Sequence, residues 1–222
     1  MRKTGELMEF NVLDRLLLQL KDISFQGVIS PFGNNESLLD DRIFDIINEI
    51  KRHMPNNLIL IHTNGDMLFN EEIFQKFCNS KLDAVIINCY DGIEQYQKFQ
   101  KMFESAGDTY NYGRYFKYGK HIELRLTTEP APHFWNRGGS VDLIPTITTK
   151  CCFIPFQWMT VNHKGDVYLC CGDWAYEQIF GNIREKNILD IWNCSEYNKY
   201  REYHLAEKGK LLPLCSKCNR IS

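Results

Sequence analysis

Leu58-Ile59-Leu60-Ile61-His62-Thr63-Asn64-Gly65-Asp66 is the stretch on which the fold class turns. Its four consecutive aliphatic residues suit a buried strand, and Thr63-Asn64-Gly65-Asp66 has the residues of a sharp turn at the strand's end. The same alternation of periods extends to both sides. Towards the N-terminus, residues 41–54 carry Ile43, Ile46, Ile47, Ile50 and Met54 at helical spacing. Before them, Gly27-Val28-Ile29-Ser30 is a short apolar run that ends at Pro31, and residues 8–21 place Phe10, Leu13, Leu16, Leu17 and Leu20 on one helical stripe. Towards the C-terminus, Asn70 can cap a helix reaching Phe77, with Glu71 and Glu72 placed well for its dipole. Residues 84–87 then read as a strand, 93–103 as a helix and 122–126 as a strand. Strands alternating with helices predict right-handed βαβ units around a parallel sheet. Four such strands cannot close an eight-stranded barrel, so an open or partial (β/α) barrel is expected. Ligands of parallel sheets sit at the carboxyl ends of the strands, here residues 31–39, 62–66, 88–91 and 127–135.

The charge balance narrows the function classes. The 222 residues carry 26 Lys and Arg against 28 Asp and Glu, a net charge of −2, so a basic footprint for nucleic acid is not expected. Residues 110–118 interleave Tyr and Phe with Arg114 and Lys117, a pattern that can stack bases; in an acidic chain it reads as a packed surface hairpin. No apolar run reaches the length of a membrane-spanning helix, and Met1-Arg2-Lys3 leads into Thr4-Gly5-Glu6 with no apolar signal segment. A soluble cytoplasmic protein without a membrane partner is the expectation.

The cysteines divide the chain. Seven of the nine lie between Cys151 and Cys218, which predicts a metal-binding module at 146–222 following a different domain at 1–145. In that module Trp158–Val161 and Val167–Leu169 flank Asn162-His163-Lys164-Gly165-Asp166 as a hairpin, and residues 188–192 and 197–205 read as short helices. Cys215-Ser216-Lys217-Cys218 is a C-x2-C pair whose thiolates can reach one metal centre. Cys170 at the end of the hairpin and Cys152 before it offer two more ligands, with Cys151 and Cys171 as alternatives one position away. Four thiolates suit a tetrahedral zinc ion or a cubane iron–sulfur cluster, and the ligand count does not decide between them. Cys78 and Cys89 read as core residues, and His62 and His133 take no role.

The order C-x17-C-x44-C-x2-C over Cys152, Cys170, Cys215 and Cys218 resembles the twitch module, the shortened SPASM domain of radical S-adenosylmethionine enzymes. Gly165-Asp166-Val167-Tyr168-Leu169-Cys170-Cys171, Phe180-Gly181-Asn182-Ile183 and Asp190-Ile191-Trp192-Asn193 are phrases such modules use. Upstream, residues 4–8 resemble the stretch after the family's cluster loop, residues 32–40 the segment that meets the cofactor's amino group, and residues 63–66 the family's third-strand turn. Asn136-Arg137-Gly138-Gly139 resembles a segment of the aminocyclitol-oxidising members whose arginine faces the substrate. The resemblance implies a partial radical SAM (β/α) barrel lacking its first strand, followed by a small iron–sulfur module. It implies one auxiliary [4Fe-4S] cluster on the four cysteines, Glu36 and Asn64 towards S-adenosylmethionine, and Arg137 as a catalytic residue that binds substrate hydroxyls or assists deprotonation.

Two departures accompany it. Asn35-Glu36-Ser37 stands where the family has Gly-Glu-Pro, and the C-x3-C-x2-C triad of the catalytic cluster is absent. S-adenosylmethionine and a second [4Fe-4S] cluster are therefore expected only in a longer form, of which this chain would be an N-terminal truncation; the alternative is a degenerate relative. An oxidoreductase acting on a small polyol, an aminocyclitol-like molecule or a peptide, with an electron-transfer protein as partner, is the implied activity. A non-catalytic iron–sulfur or zinc-stabilised scaffold is the other reading.

Overall fold

After a first helix, α1 (Phe10–Asp22), the chain builds a mixed sheet from β1 (Leu60–Thr63), β2 (Ala84–Cys89), β3 (Thr109–Tyr110), β4 (Arg114–Lys117) and β5 (Lys120–Leu126), in the order β1-β2-β5-β4-β3. This computed structural model describes residues 6–104, 113–127, 136–141 and 151–219, and the backbone of 109–110. β1, β2 and β5 are parallel, with Leu60 opposite Ala84 and Ala84 opposite His121. The aromatic stretch at 110–118 falls in the β3–β4 hairpin, whose second strand lies antiparallel to β5 with Tyr115 opposite Ile122.

Helix α2 (Ile43–His53) leads into β1, and α3 (Glu71–Asn79) and α4 (Ile93–Glu104) connect β1 to β2 and β2 to β3. Each presents its apolar stripe to the sheet side: Ile43, Ile47 and Ile50 from α2, Phe77 from α3, Phe99 and Phe103 from α4 are all buried. Asn70 caps α3 by accepting from the Ile73 amide at 3.1 Å, as its position before Glu71-Glu72 suggests. The turn after β1 requires glycine: Gly65 has φ +83°, and a Cβ there would stand 2.5 Å from the Phe99 ring. Lys120, at 1% exposure, is held by three carbonyls, those of Cys78, Ser80 and Tyr118, at 3.0, 2.8 and 3.0 Å. It thereby ties the end of α3 to the start of β5, and burial lowers the pKa of its ammonium.

Two sequence expectations shift. The apolar run at 27–30 contributes a single parallel bridge, Ile29 to Ile59. β1 begins at Leu60 rather than Leu58, because Leu58 is exposed and the Ile59 amide is taken by the Asp83 carboxylate at 2.7 Å.

The second half adds α5 (Ile154–Gln157), an antiparallel sheet of β6 (Thr160–Val161), β7 (Asp166–Tyr168) and β8 (Ile179–Asn182), then α6 (Ile188–Trp192) and α7 (Ser195–Leu205). Its core joins Val167, Leu169, Phe180, Ile183, Ile191, Tyr197, Tyr200, Leu212 and Leu214, with Phe180 stacked on Tyr197 at 4.1 Å between ring centres.

The chain separates into two compact units, residues 24–131 and residues 1–23 together with 132–222. The domain boundary expected at 145/146 lies outside the described residues, and the first helix is grouped with the C-terminal unit. Val12 enters the core above, Arg15 and Gln19 donate to the Ile183 carbonyl at 2.6 and 3.0 Å, and the Gln19 amide oxygen accepts from the Ile188 N–H at 2.6 Å. Periodicity predicts a stripe on α1 but carries no information about which partner covers it. Gln19→Leu leaves the buried Ile188 N–H without its acceptor, and we expect a loss of about 1–3 kcal/mol in urea unfolding of this unit.

Candidate metal centre

Four sulfur atoms from three separate segments line one cavity in the C-terminal unit: Cys152 before α5, Cys170 after β7, and Cys215 and Cys218 on a final 3-10 turn. Apolar neighbours fill its wall, with Ile154, Pro155, Leu169 and Leu214 among them. Two of the sulfurs are placed by core residues next in sequence, Leu169 before Cys170 and Leu214 before Cys215. The turn after Cys170 is fixed by the fully buried Asp173, whose carboxylate accepts from the Glu177 and Gln178 amides at 2.8 and 2.9 Å. Asp173 also donates its own amide to the Cys170 carbonyl at 2.9 Å. That turn aims the Gly172 N–H at the Cys170 sulfur, 3.4 Å away. His204, from α7, lines the same cavity with Nε2 at 3.5 Å from the Cys215 sulfur. Cys151 and Cys171 do not line it.

The electrostatics favour an occupant of positive charge. Burial, and then the neighbouring thiols, push Cys170 up to about 12 and push Cys215 higher still. Both are protonated near neutral pH unless a metal displaces the proton. Among the described residues of this unit, no three His, Cys, Asp or Glu ligand atoms lie within 4.8 Å of one another. Thiolates around one zinc ion stand about 3.8 Å apart, from a Zn–S bond of about 2.3 Å and tetrahedral geometry. The donor set fits a tetrahedral zinc ion or an iron–sulfur cluster, whose irons each carry one outward thiolate.

Arg137 stands next to this cavity. Gly138 lines it, with φ +62° and room for no side chain, since a Cβ would meet Leu214 at 2.9 Å and the Gly172 carbonyl at 3.1 Å. The segment is locked to the C-terminal C-x2-C pair by two buried asparagines. The Asn136 amide donates to the Asn219 side chain at 2.7 Å, the Asn219 amide donates to the Asn136 side chain at 3.1 Å, and Asn136 Nδ2 donates to the Lys217 carbonyl at 2.7 Å. The Arg137 guanidinium lies over the Trp174 ring, 5.0 Å from its centre.

In the other unit, Glu36 and Asn64 meet at the carboxyl end of β1. The Glu36 carboxylate accepts from the Leu38 amide at 3.2 Å, the Thr63 hydroxyl and the Asn64 amide at 2.8 Å. The Asn64 side chain accepts from the Asp66 amide and donates to the Asp66 carboxylate, both at 3.0 Å, and Gln95 donates to that carboxylate at 2.9 Å. These polar groups lie at the strand end, with most of their hydrogen-bonding capacity spent on holding their own turns. His62 stacks on Phe32 at 4.8 Å, and burial, with the Arg125 charge adding, lowers its pKa. Residues 4–5 and His133 lie outside the described residues. No described helix is long and apolar enough to cross a membrane.

The residues that sequence reasoning missed are His204, Asn136 and Asn219. His204 had a readable signal: with Tyr197 and Tyr200 it falls on one face of a short helix, and all three are buried. The asparagine pair had none, because its partners are far apart in sequence.

Residues 151–219 match the SPASM family, described as an iron–sulfur cluster-binding domain. The fold of the chain is that of radical S-adenosylmethionine enzymes, and its residues 151–219 carry the match to the iron–sulfur cluster-binding domain. Among solved structures, BtrN in complex with AdoMet and 2-DOIA is similar over 97% of this chain and 81% of its own, with 25% identity and a TM-score of 0.80. A structure of BtrN in an open conformation matches over the same shares at 21% identity and a TM-score of 0.68. Native anSMEcpe with bound AdoMet matches over 96% of this chain and 80% of its own, at 13% identity and a TM-score of 0.58. No curated protein matches the sequence.

The asparagine lock can be tested separately from metal binding. Asn136→Ala leaves the Asn219 amide and the Lys217 carbonyl without their partners. We expect a loss of about 2 kcal/mol in stability and faster hydrogen exchange of the Asn219 amide in the apoprotein.

Proposed function

We propose that this chain carries one auxiliary [4Fe-4S] cluster on Cys152, Cys170, Cys215 and Cys218 and serves a radical S-adenosylmethionine oxidation. The observation that carries the reading is the cage: four thiols on one cavity, within the stretch that matches an iron–sulfur cluster-binding domain. A bound cluster would supply a one-electron acceptor beside the substrate, and the chain's residues do the rest. The apolar wall of Ile154, Pro155, Leu169 and Leu214 excludes water, and Gly138 lets the Arg137 segment approach closely. Arg137, packed on Trp174, offers guanidinium donors to substrate hydroxyls. Glu36 and Asn64 would orient the cofactor's amino group at the carboxyl end of β1, through the lone pairs their turn leaves over. The Arg137 motif points to a small polyol or aminocyclitol-like substrate in preference to a peptide, and an electron-transfer protein would reoxidise the cluster.

Anaerobic purification followed by assay of iron, sulfide and zinc tests the cage. About four iron and four sulfide per chain are expected, lost in Cys215→Ala. About one zinc without sulfide would overturn the reading and leave a structural thiolate site.

A second reading, a chain that bears a cluster without cleaving the cofactor itself, is favoured by one observation: none of the nine cysteines forms a C-x3-C-x2-C triad. These 222 residues, loaded with iron and supplied with S-adenosylmethionine and dithionite, are therefore expected to give no 5′-deoxyadenosine. A stoichiometric yield would show that other ligands build the catalytic site.

A further inference from the structure

The cysteine cavity has an imidazole in its wall that the expected ligand set does not use. His204 is 2% exposed, and its Nε2 stands 3.5 Å from the Cys215 sulfur. Its other ring nitrogen, Nδ1, is buried and has no hydrogen-bond partner among the described residues. A neutral imidazole carries one N–H. On Nδ1 that hydrogen would be buried without an acceptor, and once a bound metal has displaced the Cys215 proton, Nε2 would turn a lone pair towards the lone pairs of the thiolate. On Nε2 it points at the sulfur, the one placement that leaves no buried donor unpaired.

We propose that His204 is a positioning residue that donates its Nε2–H to the Sγ of Cys215 and thereby raises the reduction potential of the cluster held there. The proposal rests on the cluster reading above. Its physical basis is that a donor aimed at a ligand sulfur withdraws electron density and stabilises the more negative, reduced state; hydrogen bonds to sulfur are among the groups that set iron–sulfur potentials. The Gly172 amide acts on Cys170 in the same sense but from the backbone, at 3.4 Å. His204 is the side-chain donor of the pair, and so the one that substitution can adjust.

The test uses the 222-residue chain with its cluster loaded, as wild type, His204→Phe and His204→Gln. Iron and sulfide are assayed first, and the potential is then read by a redox titration followed by EPR of the reduced cluster. The nine cysteines hold no C-x3-C-x2-C triad, so the titration reports one cluster. We expect full iron and sulfide in all three proteins. The equilibrium constant for reduction should fall about tenfold in His204→Phe, about 59 mV for a one-electron couple, with partial recovery in His204→Gln, which keeps an N–H. An unchanged potential in loaded His204→Phe overturns the proposal, as does an equal shift in both variants, which would report packing alone. Loss of iron from both variants, with both still folded, also overturns it and makes His204 a ligand. Should the variants fail to fold, the wild type labelled with 15N-histidine decides. A hyperfine coupling between the reduced cluster and one imidazole nitrogen supports the hydrogen bond, and its absence overturns it. A wild-type chain that takes up neither iron nor sulfide removes the cluster reading, and this proposal with it.

Discussion

Bringing four thiols together in an apolar cage is the constraint on which the C-terminal unit depends. Left to themselves, such sulfurs gain nothing from proximity: burial disfavours their ionisation and each thiolate would disfavour the next. The arrangement persists because the chain holds it from outside. Leu169 and Leu214 anchor two sulfurs to a core organised by the Phe180–Tyr197 stack, Asp173 shapes the turn after Cys170, and Arg201 bonds the Pro155 and Trp192 carbonyls at 2.8 and 2.6 Å. Packing and hydrogen bonds from outside the cavity thus hold the four sulfurs around it. Metal binding then supplies the electrostatic reason for keeping the thiols close, by replacing protons with cations.

The two ends of the cage differ in how they are held. Cys152 and Cys170 bracket the β6–β7 hairpin, where the Asn162 side chain accepts from the Lys164 and Asp166 amides at 2.9 and 3.0 Å and fixes the turn locally. Cys215 and Cys218 sit on a 3-10 turn near the end of the chain and are steadied by the distant Asn136 segment. That second attachment couples the position of Arg137 to that of Cys218, so the guanidinium proposed to meet substrate and a sulfur proposed to meet iron are carried on one rigid piece.

Much of this was legible in the sequence for identifiable reasons. The alternation of apolar runs and helical stripes from 41 to 126 placed every helix and the three parallel strands, because each buries one face against a neighbour close in sequence. The spacing of Cys152, Cys170, Cys215 and Cys218 was informative because few arrangements need four thiols. What did not show was pairing between distant partners. Nothing local in residues 10–22 says that Gln19 will bond Ile183 and Ile188, and nothing local in residues 136–139 says that Asn219 will answer Asn136. The apolar run at 27–30 makes less of a strand than its composition suggests, because among the described residues it joins the sheet by one bridge, through Ile29.

The placement of α1 has a consequence for how the polypeptide comes off the ribosome. The first helix finds its partners at residues 183 and 188, so its apolar stripe has no native surface to cover for most of synthesis. At roughly 5–20 residues per second that wait is on the order of 10–30 s. During it, residues 24–131, which form a compact unit of their own, have already been synthesised. The helix therefore spends much of synthesis as an uncovered apolar stripe, a target for chaperones until the core around Ile183 and Ile188 has been made.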